Sequence, residues 1–75
     1  MAPDELSTPG KRIRFLRNSK EMTQETLARK VFVTQGAVAH WEADNTLPAR
    51  PTQELIADAL GTTRMFLFEE QAVAS

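Results

Sequence analysis

Two helix starts of the same build lie eleven residues apart within residues 22–43, and this spacing constrains the fold more than any other feature. Thr23 and Thr34 are both N-cap residue types, whose hydroxyl groups accept hydrogen bonds from the free N–H groups of the following turn. Each threonine is flanked by an apolar pair at the hydrophobic-staple spacing, Met22 with Leu27 and Val33 with Val38. The pattern predicts two short helices joined by a sharp turn.

The two predicted helices each have an inward and an outward face. Leu27, Ala28 and Val31 form an apolar stripe on the first helix, and Val38 and Trp41 form an i, i+3 pair on the second. The outer face of the second helix is small or polar and carries no formal charge; it consists of Gln35, Gly36, Ala39, His40 and Ala43. Such a face is suited to close approach to another molecule.

Capping signals outside this stretch predict three further helices. Thr8 followed by Pro9 predicts a first helix over residues 9–19, because proline at the first helical position loses no hydrogen bond. A fourth helix is predicted from residue 51 or 52 to about residue 60, and Thr63 caps a short fifth one. The predicted inward residues of the fourth helix are Leu55, Ile56, Ala59 and Leu60.

A chain of 75 residues is long enough for one small core and too short for two. The sequence therefore predicts an all-α fold, a compact five-helix bundle that contains a helix-turn-helix. Residues 9–68 form the predicted domain, between a flexible N-terminal arm at residues 1–8 and a C-terminal tail at residues 69–75. The chain has no cysteine, so its stability depends on packing or on association with another chain.

Charge is distributed unevenly although the formal net charge is only -1. Residues 11–30 contain seven Lys or Arg and two Glu, whereas residues 51–75 contain one Arg and four acidic residues. A basic segment is typical of a nucleic-acid-binding surface, and the alternative is an ordinary solvated helix face. Arg17 lies one turn beyond Ile13, at the edge of the inward face of the first helix.

The sequence offers little material for catalysis. It has one His, no Cys, no Tyr and no glycine-rich phosphate loop, so we expect no enzyme, no cofactor, no metal site and no small-molecule ligand. His40 and Glu42 are two residues apart and point to different helix faces, which excludes them as a metal pair. The longest apolar run is too short for a membrane span, and the acidic, polar start is unlike a signal peptide. A cytoplasmic location without a membrane partner is expected.

The helix-turn-helix pattern resembles that of the phage repressor and Cro family. The resemblance rests on Gln24 at the opening of the first helix of the motif, on its core positions, and on Trp41, Glu42 and Pro48 at the family's spacing. The matching structural residues are Leu27, Ala28, Val38, Trp41 and Glu42. Phe32 and Asp44 stand where the family favours glycine. Aspartate tolerates a left-handed backbone, but Phe32 requires either a different turn or an anchor through packing.

The resemblance implies sequence-specific binding of double-stranded DNA as a homodimer, usually to repress transcription, with the second helix of the motif in the major groove. The implied base contacts are Gln35, Gly36, Ala37, Ala39 and His40. The implied phosphate contacts are Thr23, Gln24, Thr34, Arg17 and Arg50. Arg17 is also expected to pair with Glu42. A glutamine such as Gln35 can bond the N6 and N7 edge of adenine, while Ala37 and Ala39 suit a thymine methyl group.

Residues 65–68 form a continuous apolar run that a helix of five or six residues cannot bury on one face. We therefore expect Met65, Phe66 and Phe68 to contribute to a dimer contact. A competing interpretation is a protein-interaction module of the antitoxin or anti-repressor type, which the acidic total charge and the small residues Gly36 and Ala39 favour slightly. A purely structural helical bundle explains the core, but it explains neither the basic segment nor the polar face.

Overall fold

The computed structural model describes residues 4–69, and the regular structure in this part of the chain is entirely helical. A 3-10 turn, η1 (Asp4–Leu6), precedes five α-helices in the order α1 (Pro9–Ser19), α2 (Gln24–Lys30), α3 (Gln35–Glu42), α4 (Arg50–Leu60) and α5 (Arg64–Phe68). The predicted all-α, five-helix fold is confirmed. The arm at residues 1–3 and the tail beyond Glu69 lie outside the described residues.

Four of the five helices begin with the same local device. The hydroxyls of the N-cap threonines accept hydrogen bonds from the backbone N–H three residues on, in the pairs Thr8 and Lys11, Thr23 and Thr26, Thr34 and Ala37, and Thr63 and Phe66. The exception is α4, whose N-cap Ala49 makes no side-chain bond. This helix begins at Arg50, slightly before the predicted start, so Pro51 occupies its first turn, where a proline loses no hydrogen bond.

The core draws side chains from all five helices. Its buried members are Ile13, Leu27, Ala28, Val31, Val38, Trp41, Ile56, Ala57, Leu60 and Leu67. The predicted inward faces of α2 and α3 are confirmed, but the prediction for α4 was wrong at Leu55, which is 39% exposed. Viewed down the helix axis, the buried face of α4 is centred between the directions of Ile56 and Ala57. The direction of Leu55 lies beyond that of Ile56, so its side chain is turned away from the core.

A residue with a left-handed backbone lies within two positions of the end of each of the helices α1 to α4. Glu21, Phe32 and Asp44 have φ values of 56°, 66° and 62°, and Gly61 has a φ of 70° at the C-cap of α4. Phe32 therefore keeps the glycine-type turn between α2 and α3. Its side chain is 81% exposed, so packing does not anchor it. The strain at Phe32 is not offset by any burial of the ring.

Replacing Phe32 by glycine is expected to raise the free energy of unfolding by about 1 kcal/mol, because glycine reaches this φ without steric cost. Phe32→Ala is the matched control, since it removes the ring but keeps a Cβ in the left-handed conformation. Urea unfolding of the three proteins measures the effect. Equal stability of the glycine and alanine variants would show that the backbone at this position is not strained.

Asp44 offsets its own left-handed conformation with two hydrogen bonds to the start of α1. Its Oδ1 accepts from the backbone N–H of Gly10 at 2.9 Å, and its Oδ2 accepts from the Thr8 hydroxyl at 2.7 Å. The end of α3 comes so close to α1 that a Cβ on Gly10 would overlap the carbonyl oxygens of Trp41 and Glu42. Asp44 thus ties α1 to the end of α3.

A buried arginine that the sequence analysis did not single out, Arg12, contacts part of the predicted N-terminal arm. Arg12 Nε donates to the carbonyl oxygen of Leu6 in η1 at 2.9 Å, and Arg12 Nη1 donates to that of Leu67 in α5 at 3.1 Å. Lys11 adds an exposed ion pair with Asp4 at 3.0 Å. Residues of α1 thus contact this part of the arm, and the assignment of residues 1–8 to a flexible arm stays a prediction.

Candidate nucleic-acid interface

The outer face of α3 is the small, polar surface that the sequence predicts. Val38 and Trp41 point into the core, while Gln35, Gly36 and His40 are exposed. Ala43 is also exposed and Ala39 is half-buried. Ala37 is half-buried as well, and it differs from the other predicted base contacts because it packs against the core. Base contacts by these residues stay predictions.

The starts of α2 and α3 lie side by side around an open groove of about 480 Å³, lined by Arg17, Thr23, Gln24, Glu25 and Gln35. Thr23 and Thr34 are exposed N-caps, so the first turns of both helices face the surrounding solvent. A helix start carries free N–H groups and the positive end of the helix dipole, which favour an anion. The groove therefore places the predicted phosphate contacts Thr23 and Gln24 next to the predicted base contact Gln35.

Arg17 and Glu42 form the buried ion pair that the family resemblance implies. Arg17 Nε and Nη2 donate to the two carboxylate oxygens of Glu42 at 2.6 and 3.0 Å, and Nη1 donates to the carbonyl oxygen of Met22 at 2.7 Å. The exposed fractions of the two side chains are 11% and 3%. The pairing is confirmed. The phosphate contact of Arg17 stays a prediction, and all three guanidinium nitrogens already have protein acceptors.

Two glutamines extend this ion pair to the surface. Gln24 Nε2 donates to Glu42 Oε1 at 3.0 Å, and Gln35 Nε2 donates to Gln24 Oε1 at 2.6 Å. The four side chains form a continuous relay from the buried guanidinium of Arg17 to the outer face of α3. Gln24 thus has a second contact besides the predicted one to phosphate. The sequence signal for the contact between Gln24 and Gln35 is that each glutamine directly follows a capping threonine.

Arg14 is a candidate contact that the sequence analysis missed. It is exposed, and it lines a small groove together with Gln24, Glu42, Ala39 and Ala43. This groove is adjacent to the outer face of α3, so Arg14 places a cation beside a surface that itself carries no formal charge. The only sequence signal for Arg14 was its membership of the basic segment. Arg50, a predicted phosphate contact in the loop, is instead the exposed first residue of α4.

His40 lies in the last turn of α3 with its ring at the surface. Its Nδ1 is 3.4 Å from the side-chain nitrogen of Asn45. Within residues 4–69 no group of three or more His, Asp or Glu side chains is arranged to hold a metal ion. None of the helices in this part of the chain is long and apolar enough to cross a membrane.

The apolar run of α5 is better buried than the sequence analysis expected. Leu67 is fully buried, and Phe66 and Phe68 are half-buried and pack against the core. Met65 is 65% exposed and is the apolar side chain of this helix that the core covers least. A dimer contact through Met65, Phe66 and Phe68 stays a prediction, and Met65 is the most exposed of the three.

The capped α2, the sharp turn at Phe32 and the exposed outer face of α3 define a helix-turn-helix domain. A family model described as helix-turn-helix matches residues 13–67, and the chain belongs to this family. The prediction of a phage repressor and Cro-like helix-turn-helix fold is confirmed.

A solved structure is similar to most of this chain. The chain is similar, with a TM-score of 0.82 and 26% sequence identity, to a crystal structure of the P22 c2 repressor protein in complex with synthetic operator 9T in the presence of Tl+. The similarity covers 85% of this chain and 97% of the repressor chain. None of the curated proteins matches this chain. The match extends well beyond the two helices of the motif.

Proposed function

We propose that this chain is a sequence-specific DNA-binding transcriptional regulator, a repressor that binds an inverted-repeat operator as a homodimer. The observation that carries the proposal is the outer face of α3, which is exposed, uncharged and headed by the glutamine Gln35. A helix of this kind fits the major groove, where its first residues reach base edges. The P22 c2 repressor, whose chain is similar along most of its length, was solved in complex with operator DNA.

The surroundings of α3 support the same proposal. Thr23, Gln24 and Thr34 surround the starts of α2 and α3, where a phosphate would meet free N–H groups. Arg14 and Arg50 supply exposed cations, and Arg17 is largely committed to Glu42. Phosphate contacts of this kind hold the protein in register on the duplex, while base contacts decide the sequence. The residues proposed to contact base edges are Gln35, Gly36, Ala39 and His40.

A dimer is proposed because a single copy of α3, the proposed recognition helix, contacts only a short stretch of DNA. A helix of eight residues spans few base pairs, so useful specificity requires two copies. We assign the contact between the copies to Met65, with Phe66 and Phe68 beside it. A two-fold dimer places its reading helices about one DNA turn apart, roughly 34 Å, and therefore prefers an inverted repeat.

Replacement of Gln35 by alanine tests the reading role directly. Sites are first selected from random duplex DNA with the unaltered protein, and selected sequences with two-fold symmetry are expected. Gln35→Ala is then expected to lose about 1 to 3 kcal/mol on the selected site and almost nothing on scrambled DNA. Asn18→Ala, at an exposed polar residue of α1, is the control and is expected to bind like the parent. Equal loss on both duplexes, or sites without symmetry, would contradict the proposal.

A salt series separates DNA binding from the alternative, a protein-interaction module. That alternative is favoured by the formal net charge of -1 and by the small residues Gly36 and Ala39. The Glu25 and Arg29 pair at 3.5 Å also places an acidic partner beside a cation of α2. For DNA, the logarithm of the affinity is expected to fall with the logarithm of salt concentration by about 0.9 per phosphate contact. Fluorescence anisotropy of a labelled selected site at several salt concentrations measures the slope. Affinity for DNA that does not change with salt would favour the protein-interaction module.

A further inference from the structure

We propose that Phe32, in the turn between α2 and α3, contacts the sugar–phosphate backbone of double-stranded DNA, with its ring against a deoxyribose and with Lys30 at an adjacent phosphate. The inference rests on the proposed function, in which α3 lies in the major groove. It assigns a ligand to an aromatic side chain that the core of the domain does not use.

The ring of Phe32 does not stabilise the free protein. The residue has a φ of 66°, a left-handed conformation that is unfavourable for a side chain with a Cβ. Its side chain is 81% exposed, the largest exposed fraction among the large apolar side chains of residues 4–69. A residue that is strained and uncovered in the free protein contributes favourable free energy through its ring only where another molecule covers that ring.

Phe32 lies next to the surface proposed to enter the major groove. It precedes the N-cap of α3, Thr34, by two residues and Gln35 by three, so its Cα lies within about 11 Å of the Cα of Gln35. The major groove is about 12 Å wide, which is close to the diameter of one helix with its side chains. The chain that leads into α3 therefore crosses the edge of the groove, where a sugar–phosphate strand runs.

The charged residues before Phe32 indicate which kind of partner covers its ring. Arg29 and Lys30 are the basic residues of the last turn of α2, and both are exposed. Arg29 pairs with Glu25 at 3.5 Å, whereas Lys30 has no ion-pair partner within residues 4–69. An apolar ring beside a cation matches a DNA strand, which alternates deoxyribose carbons with phosphate anions.

A second copy of this chain suits this surface less well than DNA does. A two-fold contact through the turn would bring Arg29 and Lys30 of both copies close together, and like charges repel one another. DNA brings the opposite charge to the same residues. The charges therefore favour DNA as the partner.

The test removes the ring and keeps the strained backbone. Phe32→Ala is expected to bind the selected operator about tenfold more weakly than the unaltered protein, because less apolar surface is covered in the complex. A backbone contact carries no sequence information, so the same factor is expected on operators altered at the base pair assigned to Gln35. Fluorescence anisotropy of labelled duplexes measures these affinities.

The salt dependence separates the ring from the cation. An apolar contact releases no counterion, so Phe32→Ala is expected to keep the parent slope of log affinity against log salt concentration. Lys30→Met removes one phosphate contact and is expected to reduce that slope by about 0.9. A changed slope in Phe32→Ala would mean that the ring acts through a phosphate contact, and it would overturn the inference.

Three further variants separate the ring from other causes. Phe32→Gly removes both the ring and the strain, and it is expected to be more stable than the parent yet to lose about the same tenfold in affinity. Phe32→Leu restores an apolar side chain and is expected to bind within about threefold of the parent. Phe15→Ala, at a 40% exposed aromatic residue of α1, is the matched control and is expected to bind like the parent. Circular dichroism establishes that each variant is folded.

Parent-like affinity of folded Phe32→Ala or Phe32→Gly overturns the inference, and so does a loss that depends on the base pair. Analytical ultracentrifugation without DNA is expected to show the same self-association for the parent and Phe32→Ala. Weaker self-association of the variant would assign the ring to a contact between copies and would also overturn the inference.

The failure of this inference and the failure of the proposed function are distinguishable. If the unaltered protein does not prefer selected DNA over scrambled DNA, the proposed function fails and the inference fails with it. If the unaltered protein selects an operator but Phe32→Ala binds it like the parent, only the role of Phe32 is wrong.

Discussion

Replacement of Trp41 by alanine is expected to lower the free energy of unfolding by about 3 to 5 kcal/mol. Trp41 is only 7% exposed, and its ring is the largest side chain of the core. No other side chain of a domain this small can move into the space without exposing apolar surface. Since small domains have little stability to lose, Trp41→Ala is expected to be largely unfolded at physiological temperature.

Thermal and urea unfolding followed by circular dichroism measure this effect, because Trp41 is the only tryptophan and the variant lacks its fluorescence. Phe32→Ala is the matched control, since it removes an aromatic ring that is 81% exposed and is expected to change stability by less than about 0.5 kcal/mol. Trp41→Ala with stability close to the parent would mean that α3 turns a different face to the core. The proposed reading face would then be wrong as well.

The helix boundaries were predictable because their causes are local. A threonine hydroxyl caps an N–H three residues away, so the starts of α1, α2, α3 and α5 can be recognised within one turn of sequence. The start of α4 lacks this device and was predicted slightly late. Its buried face was assigned correctly at Ile56 and Leu60 but missed Ala57, because an alanine gives no apolar signal that separates a buried position from an exposed one.

The contacts that connect distant segments were only partly predictable. The Arg17 and Glu42 pair was expected through a family resemblance, whereas the bonds of Arg12 to η1 and α5 were missed. No local pattern indicates that Asp44 accepts from Gly10, since 34 positions separate them. Such contacts depend on how the helices pack, which a single sequence does not express in any short window.

In the candidate site, too, the local features were predictable and the contacts between distant segments were not. The outer residues of α3 follow from helical periodicity and were predicted as a set. The link between Gln24 and Gln35 requires the starts of two helices to meet, and the direction of its amides depends on the carboxylate of Glu42 behind them. Periodicity can assign a residue to a face, but it does not determine which atom of a side-chain amide points outward.

Removal of the Arg17 guanidinium is expected to destabilise the domain about as much as loss of the tryptophan, by about 3 to 5 kcal/mol. Arg17→Met keeps an apolar stem of similar length but leaves the Glu42 carboxylate, at 3% exposure, with Gln24 as its remaining side-chain donor. The desolvation penalty of the charge is then uncompensated. Urea unfolding of Arg17→Met measures the loss, and Arg14→Met, at an exposed arginine of the same helix, is the control.

The double variant Arg17→Met with Glu42→Met separates the buried charge from the packing of the two side chains. Replacing both members of a buried ion pair by apolar residues is often neutral or stabilising, so the double variant is expected to be more stable than Arg17→Met alone by about 2 kcal/mol or more. A double variant no more stable than the single one would mean that packing around Arg17, rather than the charge on Glu42, accounts for the loss.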